Sequence, residues 1–482
     1  MKGLLFLLLA CLLPGCGGNG GKHDADAQGD PDVILDDGAA EGDPSPDPDL
    51  VPDPSGDPDA EADLDAPPEP DGEIATVCEG NCHFVREGAA GRSDGSDWDN
   101  AWTQLPEDLE RGHVYFVADG SYPGVVLDDP ESGESLVTVK KATAFDPACT
   151  ETAGWSPDYG DGTALFPSVR FTTGHWDFDG VVGEGESARG FEVTSDAPAE
   201  ESVDLVVIEA GVGSVALRHV DIHRPSMDYK ASGVYATAGG NTDLVFSDCF
   251  IHDVFGVHFY FIDASGILIE RSWMERNKST ADWHSESIQA RGTVGLVVRY
   301  SWFEDIQGTA VIVSGSGNSS GWEIYGNVFN RFEVGHGAVA DNMNDSISGV
   351  RVYNNTIVGG TSHSGIRFFN SAGDNVAYDN LWYGCDTVVH EGVDYDYNYY
   401  SDCGFTYAFA PGAHEPPKDS SEVHTSIDAD PFVASGARDF HLAAPLDGYP
   451  GLALEPPCDT DPDGLARGAD GVWDRGAFDF AE

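Results

Sequence analysis

Seven stretches in the middle of the chain repeat one pattern: an apolar-x-apolar run, two or three small or polar residues, then a second apolar pair. They read VALRHVDIH from Val215, LVFSDCFIHD from Leu244, ILIERSWMER from Ile267, LVVRYSWFED from Leu296, WEIYGNVFNR from Trp322, VRVYNNTIVG from Val350 and NVAYDNLWYG from Asn375. Their equivalent small or polar positions are Val220, Cys249, Ser272, Ser301, Asn327, Asn355 and Asn380, with a shorter eighth candidate at Asn398. Each stretch is followed by another short strand, centred on Val234, Val257, Ile288, Val311, Val339, Ile366 and Val388. Short alternating strands at a period in the mid-twenties, cornered by Gly and Asn, are what the coils of a solenoid require. No coil can bury its inner face alone, so stacked neighbours must close a continuous core. Asn327, Asn355 and Asn380 then predict an amide ladder, each side chain bonding to the coils beside it. A sandwich would need longer strands, and a propeller a stricter forty-residue blade.

The two ends of this region extend the reading. Residues 83–126 hold a Gly- and Asp-rich turn with Ser96-Asp97-Trp98-Asp99-Asn100-Ala101-Trp102 ahead of the first strands. Residues 440–480 hold Phe440-His-Leu, Asp461-Pro-Asp-Gly464, Arg467 and Asp474-Arg-Gly-Ala-Phe478. With the repeats between, the chain from 83 to 480 resembles the right-handed parallel β-helix superfamily, the pectate-lyase-like fold. The resemblance implies an all-β solenoid over 76–482, with a short N-terminal capping helix over Trp102–Arg111 and a closing segment at 440–480. It also implies carbohydrate chemistry in a groove along an outer sheet.

Residues 1–16 hold one Lys, the apolar stretch Leu4–Leu13 and then Pro14-Gly15-Cys16. Ten apolar residues are too few to span a bilayer, so the segment reads as an export signal. Its end resembles a bacterial lipoprotein processing site, which implies lipidation of Cys16 and tethering to the outer membrane; plain secretion is the alternative. Residues 17–75 carry 15 Asp and 4 Glu against Lys22 alone, with ten prolines. Such a segment cannot bury apolar area and reads as a disordered acidic spacer. The whole chain has a formal net charge of −60, which repels phosphate backbones and excludes nucleic acid as a partner. A monomer tethered by lipid, with polysaccharide as its partner, is expected.

Several residues could carry chemistry. Outward positions on the second strands are expected to be Tyr235, His258, Gln289 and Arg367, able to stack on and hydrogen-bond to sugars. The longest gap between paired strands, from Ser272 to Ile288, carries Lys278, His284 and Glu286, with Arg291 just beyond. If that loop folds over the sheet, His258, His284, Glu286 and Arg291 converge. A lyase would then use His258, His284 or Lys278 as base and Arg291 or Arg367 as the cationic partner of the enediolate. Hydrolysis would need two flanking carboxylates, and Glu286 with Asp253 or Asp263 is the local set. Binding with cleavage, by elimination rather than hydrolysis, is one reading; a non-catalytic, adhesin-like scaffold is the other. The motifs that define polygalacturonases and pectate lyases are missing.

Two further expectations concern ligands and sulfur. Asp459, Asp461, Asp463 and Asp470 alternate around Gly464 like the oxygen ligands of a calcium loop. Cys385 and Cys403 lie five residues beyond Asn380 and Asn398. Stacked coils would bring their Cα atoms to about 4.8 Å, and a disulfide is expected between them. Cys78 and Cys82 are spaced for a small disulfide loop, and Cys249 reads as a buried free thiol.

Overall fold

Alternation within each repeat buries one side of every strand, and the polar corner residues turn the chain before the next strand begins. The computed structural model describes residues 76 and 78–480, apart from 184–188, 196–202, 225–230, 278–284, 315–316, 333–336, 342–345, 362, 405–422, 426–429 and 447–448. The export segment, Cys16, the acidic spacer, Lys278 and His284 lie outside the described residues.

Three long sheets result. Sheet A runs from Cys82–Val85 to Asp394–Asp396, sheet B from Gly120–Ser121 to Val423–Thr425, and sheet C from Val125–Leu127 to Ile366–Arg367. Strands that stack are equivalent strands of successive coils, and they pair in parallel. In sheet A, Val215 pairs with Leu244, Leu244 with Ile267, and Ile267 with Leu296. The inward side chains of all three sheets merge into one core, from Val85 and Val117 at one end to Trp382 and Tyr400 at the other. The chain is a right-handed parallel β-helix.

The expected amide ladder is present at the A–B corner. Asn327 Nδ2 donates to Asn355 Oδ1 at 3.0 Å, Asn355 Nδ2 to Asn380 Oδ1 at 2.9 Å, and Asn380 Nδ2 to Asn398 Oδ1 at 3.1 Å. The ladder extends to hydroxyls: Ser301 Oγ accepts from the Ser272 amide, and Ser272 Oγ from the Cys249 amide, both at 3.2 Å. Cys249 itself is a buried free thiol. Asn355 Oδ1 also accepts from the Asn327 backbone N–H. Removing that oxygen would leave a buried donor unpaired, a cost of about 1–3 kcal/mol.

The residue before each ladder position turns the corner with a left-handed backbone. It is His219, Asp248, Arg271, Tyr300, Gly326, Asn354, Asp379 and Tyr397 in successive coils, with φ between 43° and 65°. Only one of these is glycine, the residue for which that conformation carries no Cβ penalty.

Two expectations are corrected. Trp102–Arg111 is not helical: Trp102 forms a parallel bridge with Val85, and Pro106 interrupts the segment, disfavouring helical backbone at Leu105. The short helix is Pro147–Thr150, capped by Asp146, whose carboxylate is paired with Lys140 Nζ at 3.0 Å. Cys385 and Cys403 do stack, and the Cys385 amide donates to Cys403 Sγ at 3.4 Å, but no bond joins them. Their thiols turn to backbone carbonyls, Cys403 to Ser401 O and Cys385 to Tyr383 O. The disulfide is Cys78–Cys82. Finally, the closing segment lies back along the outer face of sheet B. Its antiparallel hairpin, Phe432–Ala434 with Asp439–Leu442, packs with Phe478 over Val328, Leu381 and Tyr383.

Candidate cleft on sheet B

On sheet B the outward residues fall one and three places after each ladder position. Register gives one row of Glu192, Asp221, Phe250, Trp273, Trp302 and Val328, and a second of Thr194, His223, His252, Glu275, Glu304 and Asn330. The Trp273 and Trp302 rings, on adjacent coils, lie 5.2 Å apart and tilted by 34°. The returning hairpin stops against them, with the Phe440 ring 5.4 Å from that of Trp302. A flat sheet face thereby becomes a cleft of about 400 Å³, floored by the two indoles and walled by Phe440, His441 and Arg438.

The cleft gathers basic side chains within an acidic chain. Arg189, Arg271, Arg438 and His441 line it together with Asp439, Asp463 and Asp479. Arg271 projects from a left-handed corner and is held bidentate by Asp248, both bonds at 3.0 Å. Arg438, also left-handed, reaches Glu304 at 3.0 Å and Glu275 at 3.8 Å. Glu304 is fully buried and also takes Arg331 and the Trp302 indole N–H, the latter at 3.2 Å. Burial raises its carboxyl above the usual range, against the pull of Arg438 and Arg331. His441 donates to Asp463 and Asp439, each at 2.7 Å, and the bond to Asp463 is the main reason its imidazole is pushed up to about 9. His441 therefore carries its proton at neutral pH, adding a fourth cation to the wall.

The residues expected from sequence are arranged differently. Tyr235, Gln289 and Arg367 do share one outward row on sheet C, but the place between Tyr235 and Gln289 belongs to Tyr260. The strand Gly256–Ile262 sets Phe259, not Val257, opposite Val234. His258 thus falls beside Gly233 in the fully buried B–C corner, bonded to Ser287 Oγ at 2.9 Å and Glu275 O at 3.2 Å. Burial lowers its pKa to about 3, so it stays neutral and cannot serve as a base at a groove. Glu286 is buried just before the strand Ile288–Arg291, which Arg291 ends. Of the four residues expected to converge, His284 lies outside the described residues and His258 is buried away from any groove. Arg367 is buried, ion-paired with Glu391 at 3.4 Å and laid over the Phe369 ring. Gln289 bonds to Ser314.

Three of the four aspartates of the expected calcium loop have separate partners. Asp461 accepts three backbone N–H groups, from Asp463, Leu465 and Asp479. Asp463 binds His441, and Asp470 caps Val472. Sequence reading passed over sheet B, although Trp273-x-Glu275 and Trp302-x-Glu304 stood at matching places in adjacent repeats.

No protein-family model and no curated protein matches the chain. Among solved structures it is similar to the crystal structure of pectate lyase Pel9A, at 12% identity and a TM-score of 0.42, over 85% of this chain and 98% of that one. It is also similar to GH136 lacto-N-biosidase from Eubacterium ramulus, at 10% identity and a TM-score of 0.24, over 68% of each chain. Neither bears on the chemistry of the cleft.

Proposed function

We propose that the cleft between Trp273, Trp302 and the returning hairpin binds an acidic polysaccharide, and that the chain is tethered outside the cytoplasm through a lipid on Cys16. The observation that supports this is an aromatic-floored cleft in which four basic side chains meet three aspartates, in a protein whose net charge is −60. Indole faces on successive coils suit sugar rings, and Arg271, Arg438 and protonated His441 suit carboxylates. Elimination would use Arg271 and Arg438 to neutralise the enediolate. Among the described residues, however, the cleft holds no neutral imidazole or amine to take the α proton, since His441 is protonated and donates to both Asp463 and Asp439. Binding therefore comes before cleavage. Hydrolysis fits less well, because Glu275 and Glu304 are buried and share Arg438 instead of flanking a glycosidic bond.

The test is the full chain incubated with uronate-rich and neutral polysaccharides, with binding followed by calorimetry and unsaturated ends by ultraviolet absorbance. Preferential binding of the uronate-rich glycans, weakened by Trp273→Ala, is the expected result. Equal binding of neutral glycans, or no effect of Trp273→Ala, would overturn the reading. Binding without unsaturated product would remove elimination and leave the scaffold.

A further inference from the structure

On the two coils before the cleft, the same face of sheet B carries a second cluster that the proposed function does not use. Asp221 and His223 alternate on one strand, so both project outward, and His252 stacks on His223 from the next coil. The two imidazole rings lie 4.8 Å apart and 11° from parallel. Asp221, His223 and His252 each offer one ligand atom, and those atoms all fall within 4.8 Å of one another, half-buried. His252 Nε2 is 3.1 Å from Asp221 Oδ1, and His223 Nε2 is 3.0 Å from Glu192 Oε1 on the preceding coil.

The supporting residues have the form a metal centre uses. His252 Nδ1 bonds to Asp253 Oδ2 at 2.6 Å, and Arg276 clamps that carboxylate at 2.8 and 2.7 Å. Ligating imidazoles donate their second nitrogen to such a carboxylate, which fixes the tautomer and aims the other nitrogen at the ion. Here the remaining nitrogen, Nε2, points toward Asp221.

We propose that Asp221, His223 and His252 bind a divalent ion of the zinc class, with Glu192 as a fourth donor. Two imidazoles with one or two carboxylates match zinc and its neighbours; calcium and magnesium take oxygen ligands throughout. The ion would fasten three successive coils, those of Glu192, Asp221 and His252. In its absence the Nε2 proton of His252 satisfies Asp221, so the cluster is stable either way.

The full chain, stripped with chelator and dialysed, is titrated with zinc(II) and cobalt(II), with calcium as control. One equivalent of cobalt with visible absorption bands, displaced by zinc and not by calcium, is expected. His223→Ala and His252→Ala should each abolish the bands, and Asp253→Asn should weaken binding by about 10- to 100-fold while leaving every ligand in place. Circular dichroism without metal checks that each variant folds; should a histidine variant fail, Asp253→Asn alone decides. Absent bands, or bands that survive both histidine changes, would overturn the proposal, the latter by moving the metal to the Asp-rich segment 17–75. Because the assay reads metal and not sugar, its failure would leave the cleft proposal standing.

Discussion

Sheets B and C are wound from the same coils, yet the cleft proposed to bind glycan lies on sheet B. The outer row of sheet C runs Val126, Arg170, Val207, Tyr235, Tyr260, Gln289, Ile312, Ala340 and Arg367, and both its cations are paired, Arg170 with Glu209 and Arg367 with Glu391. Sheet B presents indoles, imidazoles and carboxylates, and a non-repeating tail lies across it. A solenoid face is flat by construction, because each rung offers the same two outward places. Concavity has to come from a segment that breaks the period. Here that segment is the tail after residue 430, and the cleft lies where its hairpin ends.

The comparison can be broken at the hairpin. Phe440 is 2% exposed and bridges the tail to Trp302, so Phe440→Ala should cost about 4 kcal/mol of unfolding free energy and abolish glycan binding. Retained binding would mean that sheet B does not need the tail. A second effect comes from Asp379, whose carboxylate accepts from Leu452 of the tail at 2.8 Å. Burial raises its pKa to about 7, so folding favours the protonated form. That stability is full below the unfolded pKa near 3.8 and is lost as pH rises through about 7. Asp379→Asn, which keeps the acceptor and tolerates the left-handed backbone, should raise the unfolding free energy at pH 8 by up to about 3 kcal/mol and change it little at pH 4. An equal gain at both pH values would contradict this.

Smaller changes sharpen the contrast. Trp273→Ala should reduce glycan affinity about tenfold, or about 1.4 kcal/mol, in calorimetric titration. Tyr235→Ala, the sheet C counterpart, should leave affinity unchanged and move stability by less than about 1 kcal/mol. If Tyr235→Ala also weakened binding, ligand would be touching both faces.

The winding was legible in the sequence because it is periodic. The places of Cys249, Ser272, Ser301, Asn327, Asn355, Asn380 and Asn398 could be counted, and all take part in one hydrogen-bonded ladder. The position of His258 was misread because register on the second strand was counted from Val257. The apolar run Val257-His-Phe-Tyr-Phe admits two registers, and the deeper pocket takes Phe259. The cleft was illegible for a different reason. Tyr300 meets Thr460, and Trp302 meets Phe440, across more than a hundred residues with no repeat to align them. The capping helix was an avoidable error, since Pro106 stands inside it.

The left-handed corner residues have a consequence for how such a surface can change. Arg271, Tyr300 and Gly326 occupy the same corner in three consecutive coils, and all three border the cleft. Each non-glycine there costs about 1–2 kcal/mol, a cost the neighbouring ladder offsets. The winding therefore tolerates several side chains unbranched at Cβ at that spot. One address per revolution is left open for rewriting, so selectivity can be retuned corner by corner without touching the thread of the screw.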